Sequence, residues 1–324
     1  MQGDLINSQE ALSETVSSPH VPVLLEEAVH AFHPFEGRVY VDATLGGGGH
    51  ALRLSQELSG NQVLLGLDRD QTALDIAKAR LAGATCQVKT VRTPFSGLKH
   101  ALFSQQMTQI DGGILVDLGM SNIQLKSETR GFSFQTDAPL DMRMDASQGV
   151  TAADIVNNWG ESELADILHF YSDERLSKAI AKEIVACRPF KTTGELTELA
   201  KRVYHAKNCH PHNISPATRL FQALRMAVNE ELKELETLLA LLPELMAPGA
   251  IAAFISFHSV EDRLVKQFFK LASITCICPP RMPICQCGHQ ASFKILGKPI
   301  TASEAETKAN PQARSAKLRL AQRL

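Results

Sequence analysis

The chain has 324 residues, a formal net charge of −2, 44% hydrophobic and 21% charged residues. That is the profile of a globular chain with room for one large domain plus an insertion or a second small domain. No apolar run reaches transmembrane length, and no basic region followed by an apolar core opens the chain, so a cytoplasmic protein without a membrane partner is expected. Seven cysteines, odd in number and unevenly spread, do not form a secretory disulfide framework.

Residues 1–18 are polar and aperiodic, as expected of a mobile tail. From Pro22 the chain is extended and then turns into a short amphipathic helix ending near Val29. Val39-Tyr40-Val41 reads as a buried strand, broken after Asp42-Ala43-Thr44-Leu45 by Gly46-Gly47-Gly48-Gly49. His50 to Leu58 follows with apolar residues at helical spacing, so the unit is strand, glycine turn, helix. Bare glycine backbone lets a ligand approach closely, next to the N–H groups that open a helix. A second strand, Val63-Leu64-Leu65-Gly66-Leu67, ends in Asp68, about twenty residues after the turn, where a carboxylate can accept from ribose hydroxyls. A nucleoside-bearing cofactor is therefore expected.

Gly46, Gly48 and Ala51 satisfy a loose dinucleotide fingerprint, a weak match that leaves an NAD-dependent oxidoreductase open. Acidic residues at successive strand ends decide between cofactors: Asp42, Asp68, and Asp117 after Ile114-Leu115-Val116. Carboxylates crowding the turn repel a pyrophosphate and attract the sulfonium and ammonium of S-adenosylmethionine.

Between Asp68 and Asp117 the pattern gives a helix over 71–81, a strand over 85–91 and a helix over 96–105. Phe95, in the loop after the strand, can cover an adenine face or plug the core. Residues 130–145 lack any period and mix aromatics, carboxylates and arginines, as functional loops do. Helices are predicted over 151–158, 161–170, 173–187 and 193–206, with no strand between them, so residues 126–214 form a loop plus an all-helical insertion. A single long helix capped by Ser215 runs through Leu239, and Pro248-Gly249 precedes a fifth strand over 250–257. His258-Ser259-Val260-Glu261-Asp262-Arg263 follows at its carboxyl end. No glycine-flanked nucleophile elbow surrounds Ser259, which argues against a hydrolytic triad.

Cys276, Cys278, Cys285 and Cys287 form the one metal candidate; their spacing is tighter than the usual two-residue gap and favours reduced thiols over a structural zinc. Basic residues gather at Lys308, Arg314, Lys317, Arg319 and Arg323, and at Arg188, Lys191, Lys201, Arg202 and Lys207, which together permit a polyanionic partner.

From His20 onward the chain resembles the small-subunit ribosomal RNA (cytosine-N4-)-methyltransferases of the RsmH family, formerly MraW. The resemblance rests on uncommon strings in order. They include His20-Val21-Pro22-Val23-Leu24-Leu25, Gly48-Gly49-His50, Asp68-Arg69-Asp70, Arg130-Gly131-Phe132-Ser133-Phe134, Pro139-Leu140-Asp141-Met142-Arg143-Met144-Asp145, Thr218-Arg219-Leu220-Phe221-Gln222, Ser256-Phe257-His258-Ser259-Val260-Glu261-Asp262-Arg263 and Asn310-Pro311-Gln312-Ala313-Arg314-Ser315. The resemblance implies an α/β, Rossmann-like S-adenosylmethionine-dependent methyltransferase domain over 19–125 and 215–324, interrupted by the helical insertion for substrate recognition. It further implies methylation of a cytidine in the decoding centre of 16S ribosomal RNA, within the small ribosomal subunit, by a monomer or homodimer. Carried over by motif, Gly48, Gly49, His50, Asp68, Phe95, Asp117 and Gln124 would hold the cofactor. After Asp117-Leu118-Gly119 this chain reads Met120-Ser121-Asn122-Ile123-Gln124, with isoleucine where the family has proline.

A cytosine amine is a weak nucleophile, so transfer needs in-line positioning and an acceptor for its hydrogen. Asp117, or a backbone carbonyl between Leu118 and Ser121, is the first candidate, and Asp141 and Asp145 are second candidates, with Arg143 on phosphate or base. The alternative for these three is an ion-pair brace. Phe132 and Phe134 suit either stacking on an extruded base or core packing. A non-catalytic RNA-binding assembly factor is the further alternative for the whole chain.

Overall fold

The structure, a computed structural model, describes residues 22–121, 129–209, 215–279 and 284–324. The tail expected over 1–18, His20, and Asn122, Ile123 and Gln124 lie outside the described residues.

A mixed sheet organises the chain. Strands β1 (Val39–Asp42), β2 (Val63–Asp68), β3 (Gln87–Arg92), β4 (Gly113–Asp117) and β5 (Ile251–Ser256) run parallel in the order β3-β2-β1-β4-β5. The four inner strands are near-continuous apolar runs because helices cover both of their faces, whereas β3, at the edge, is partly exposed along its length. On one face Leu98 and Leu102 of α4 (Leu98–Ser104), Leu235 and Leu239 of α10 (Glu231–Leu245) and Phe269 of α11 (Ser259–Ala272) pack on Val41, Ile114 and Val116. On the other, Val29 of α1 (Leu25–His30), Leu54 of α2 (Gly49–Ser55) and Leu74 of α3 (Gln71–Arg80) pack on Tyr40, Leu64 and Leu115. Chain direction across the sheet reverses between β1 and β4, and open α/β sheets bind ligands at the carboxyl side of such a point.

The carboxyl-terminal segment joins this sheet. β8 (Lys317–Arg323) lies antiparallel to β5, and β6 (Phe293–Ile295) and β7 (Ile300–Thr301) pair with β8. The basic run over 308–323 is thus partly structural: Lys317 and Arg319 reach Asp262 at 3.2 and 2.6 Å. The alternation Lys317-Leu318-Arg319-Leu320 carries the strand period.

The inserted helices α5 (Ala152–Asn158), α6 (Glu161–Ser172), α7 (Ser177–Cys187) and α8 (Thr193–Ala206) surround a core of their own, including Ile155, Leu168, Ile184 and Leu199. Two expectations change here. Leu220, Phe221 and Leu224 of α9 (Ala217–Val228) complete that helical core, so α9 packs with the insertion and not with the sheet. Nor is there one long helix from Ser215. Asn229 ends α9 because its amide is committed to loop backbone, accepting from Met144 N–H at 2.7 Å and donating to the Met142 carbonyl at 2.8 Å. Glu230 then adopts φ 49° and α10 starts in a new direction.

Leu224 is fully buried. Leu224→Ala is expected to cost about 2–5 kcal/mol and, measured by hydrogen exchange, to raise exchange in α6 and α7 while β1 and β4 keep their protection. Equal loss in the sheet would contradict the placement of α9.

Candidate functional site

A cavity of about 310 Å³ opens at the carboxyl ends of β1, β2 and β4. Asp68, at the end of β2, holds the glycine turn: its Oδ2 accepts the Gly46 N–H at 2.8 Å and its Oδ1 the Asp70 N–H at 2.8 Å. A carboxylate offers about four acceptor sites, which leaves capacity for ligand hydroxyls. Gly46 (φ 50°) has open space where a side chain would stand, its nearest neighbour being Ser121 Cβ at 3.7 Å. Gly46 and Gly47 therefore present bare backbone to the cavity.

Gly48 has another task. It does not line the cavity, its N–H is taken by the Leu45 carbonyl, and at φ 75° a side chain there would meet Ala77 of α3 at 3.2 Å. Close helix packing, not ligand approach, demands this glycine. Gly49 lines the cavity beside Pro22, whose Cγ lies 2.4 Å from where a Cβ would stand.

Asp117, at the end of β4, has its backbone N–H bound to the Thr44 hydroxyl at 2.6 Å, which ties the β1 and β4 rims together. Its Oδ1 is buried without a hydrogen-bond partner. His50 Nε2 faces the Val23 carbonyl at 3.0 Å and so carries the proton, leaving Nδ1 directed at Asp117 Oδ2, 3.7 Å away. Burial, with Asp42 and Glu261 adding repulsion, pushes the Asp117 carboxyl up to about 8. Asp42 is pushed to about 7 by burial and by Asp68, but it sits beneath the cavity instead of rimming it, accepting the Thr44 N–H at 3.2 Å. Asp68 too is raised by burial, in spite of its two backbone donors.

Sequence reasoning passed over Glu261. It lines the cavity from the first turn of α11, is raised to about 7 by burial against the lowering effect of Arg225, and its Oε2 is buried without a partner. In the same string Ser259 donates to Asp173 at 2.8 Å, an acid and not the histidine a hydrolytic triad would use. Glu231 also lines the cavity, paired with buried Arg225 at 2.7 Å. The only signal for Glu261 was its place three residues into a helix at the carboxyl end of β5.

Phe95 lines the cavity from a single turn of 3-10 helix, Phe95–Gly97, and Ser121 lines it opposite Gly46. Asp141, Arg143 and Asp145 do not line it. Arg143 forks onto Asp141 at 2.9 and 2.8 Å, and Asp145 pairs with Arg92 at 3.0 Å, so their charges brace the loop rather than face the cavity. Phe132 is buried in the helical core and Phe134 packs edge-on against Phe221 at 5.4 Å, which accounts for both rings by packing. In the second basic region Arg188 donates to the Val156 and Trp159 carbonyls and Lys201 pairs with Glu198 at 2.7 Å. The sulfurs of Cys276, Cys278, Cys285 and Cys287 converge far along the chain from this cavity, which none of them lines.

Residues 17–324 match the model of the MraW methylase family. The chain belongs to that family. Proteins named ribosomal RNA small subunit methyltransferase H from Geobacter sp. (strain M21) and Paenibacillus sp. (strain JDR-2) are 46% and 45% identical to it over 309 and 316 residues. In both cases 94% of this chain is covered, with 98% and 99% of the relative. A protein of the same name from Brevibacillus brevis is 43% identical over 316 residues. The α/β sheet is accordingly that of a Rossmann-like, S-adenosylmethionine-dependent methyltransferase, and the NAD-dependent oxidoreductase reading falls. The donor's chemistry fits the residues present: Asp117 and Glu261 each leave a buried carboxylate oxygen without a partner, as a cationic ligand requires, and Gly46 leaves room for close approach.

The raised carboxyls fix the sign of a pH effect. Asp117, Asp42 and Glu261 bind protons in the folded state at about 8, 7 and 7, whereas unfolded carboxyls release them near pH 4. The folded chain holds more protons across that window, so ligand-free stability is expected to fall as pH rises from about 5 to about 8. Asp117→Asn should flatten the upper part of the decline, read from denaturant midpoints. A wild-type profile that rises over this range would contradict the assignment.

Proposed function

We propose that the chain transfers a methyl group from S-adenosylmethionine to the exocyclic N4 of a cytidine in the decoding centre of 16S ribosomal RNA. Small-subunit ribosomal RNA methylation is the activity carried in the names of relatives matching nearly the whole chain. The cavity at the β1/β4 switch point, with a partnerless Asp117 oxygen at its wall, is the observation that supports the chemistry.

When bound, the donor would supply an electrophilic methyl group. Asp68, which fixes the glycine turn through Gly46, would accept from ribose hydroxyls. Phe95 would cover the adenine face, with Gly49 and His50 lining the same cavity. The cytosine amine hydrogen-bonds to Asp117 or to a backbone carbonyl between Leu118 and Ser121, which draws the nitrogen lone pair out of conjugation with the ring. After transfer the methylated nitrogen carries one proton too many, and Asp117, ionised while a cation stands beside it and returned to its raised proton affinity of about 8 once that charge is gone, would accept it. Arg130, which donates to Asp70 at 2.8 Å and to the Met144 carbonyl at 2.6 Å, fixes the position of Met144 at the cavity wall. The helical insertion presents exposed Lys191, Arg202 and Lys207 to the phosphate backbone.

Nucleoside mass spectrometry of small-subunit RNA from cells with and without the gene is the test. Loss of a methyl from cytidine N4 is expected, restored by the wild-type chain, with Asp117→Asn slowing transfer in vitro by about 10²-fold or more. A methyl lost from carbon or ribose instead would overturn the N4 assignment. Binding to small subunits with no change in any nucleoside would favour the assembly-factor reading.

A further inference from the structure

Between Ala272, at the end of α11, and Phe293, at the start of β6, no described residue is buried. A stretch without a core has no apolar means of holding one shape. Yet four sulfurs in it converge. Cys276 and Cys285 Sγ are 3.5 Å apart, Cys285 and Cys287 3.5 Å, Cys278 and Cys285 3.9 Å, and Cys276 and Cys287 3.9 Å. All four lie within 4.8 Å of one another.

Those separations have a geometric meaning. A tetrahedral thiolate zinc centre with Zn–S bonds of about 2.3 Å has sulfur–sulfur edges of about 3.8 Å. Four of the six sulfur–sulfur edges fall at 3.5–3.9 Å and none exceeds 4.8 Å, an arrangement around a common centre, whereas two disulfides would give two bonds of about 2 Å and longer separations between them. The backbone is turned the same way. Ile277 N–H donates to Cys287 Sγ at 3.4 Å, Cys278 N–H to Cys276 Sγ at 3.4 Å, and Gln286 N–H to Cys278 Sγ at 3.5 Å. Donors aimed at sulfur stabilise thiolates, the form that ligates metal. Gly288, at φ 61° with open space around it, turns the chain away directly after the last cysteine.

We propose that Cys276, Cys278, Cys285 and Cys287 bind one zinc ion, revising the preference for reduced thiols drawn from their spacing. Each thiol loses its proton to solvent and forms one zinc–sulfur bond, with no change of oxidation state. Four thiolates fill the coordination shell, so the ion leaves no position for substrate and its role is to fold the segment. It staples the end of α11 to the edge strand β6, whose approach is fixed by Ser292 N–H on the Ala272 carbonyl at 2.8 Å and by His289 Nε2 beside the Leu271 carbonyl at 3.1 Å. Nothing in this depends on the identity of the methyl acceptor.

Metal analysis of the purified full-length chain is expected to find about one zinc per chain. Cys276→Ser and Cys285→Ser, one from each pair, should lose it, while Cys187→Ser, an exposed cysteine outside the cluster, retains it. In case the serine variants fail to fold, wild-type chain stripped with chelator and refilled with cobalt should show the intense visible absorption of tetrahedral thiolate cobalt. Stripping should also accelerate proteolysis within 273–292 by about tenfold, through local opening, with donor affinity unchanged. A zinc-free chain with all seven thiols free and giving no tetrahedral cobalt spectrum would overturn the proposal. So would two disulfides in protein purified under reducing conditions, or iron in place of zinc.

Discussion

Desolvation of carboxylates at the carboxyl ends of adjacent parallel strands is the constraint on which the rest of this molecule depends. β1, β2 and β4 each end in aspartate, and β5 delivers Glu261 one turn into α11. Asp42 and Glu261 are buried, Asp68 and Asp117 half-buried, and three nearby cations are committed elsewhere: Arg225 to Glu231, Arg69 toward Glu234, Arg130 to Asp70. An acid in that position either holds its proton or acquires a positive partner. The glycine turn, the Thr44–Asp117 bond and the Asp68–Gly46 bond all serve to hold the acids around one space while leaving that space open.

A few polar side chains tie the helical insertion to this rim. Asn229 grips both Met142 and Met144 from the junction of α9 and α10, and Met144 lines the cavity. Arg130 spans from Asp70, which caps α3 by accepting the Thr72 N–H at 3.0 Å, to the carbonyls of Arg143 and Met144. Asp141 and Arg143 pair within the same loop, and Asp145 pairs with Arg92 at the end of β3. None of Asp141, Arg143 and Asp145 lines the cavity.

Much of this was legible in the sequence, for physical reasons that also mark where legibility ends. Buried parallel strands are apolar runs of distinctive length, glycine clusters mark a turn, and the β2 aspartate stands at a fixed distance, so the sheet, Asp68, Asp117 and Phe95 could be placed from spacing. Which glycine serves the ligand could not: Gly46 and Gly48 both have positive φ, and only packing against Ala77 separates their tasks. The break at Asn229 escaped notice because apolar periodicity continues through it, and the interruption comes from hydrogen bonds to residues more than eighty positions away. Membership of α9 in the helical core is likewise a matter of tertiary packing, invisible to a helix's own pattern. The converging thiols illustrate the same limit, since two Cys-X-Cys pairs say little until the backbone between them is folded.

Proton counting on donor binding reaches the central claim most directly. At about pH 6.5 the donor's ammonium is fully protonated, and Asp117, whose carboxyl is raised to about 8, is largely neutral in the free chain. Titration calorimetry with S-adenosylmethionine in buffers of different ionisation enthalpy then reads the protons exchanged. The account requires net release, because the bound cation draws Asp117 into its ionised form, and a smaller release in Asp117→Asn. Binding with no proton exchange, or with net uptake, would contradict it.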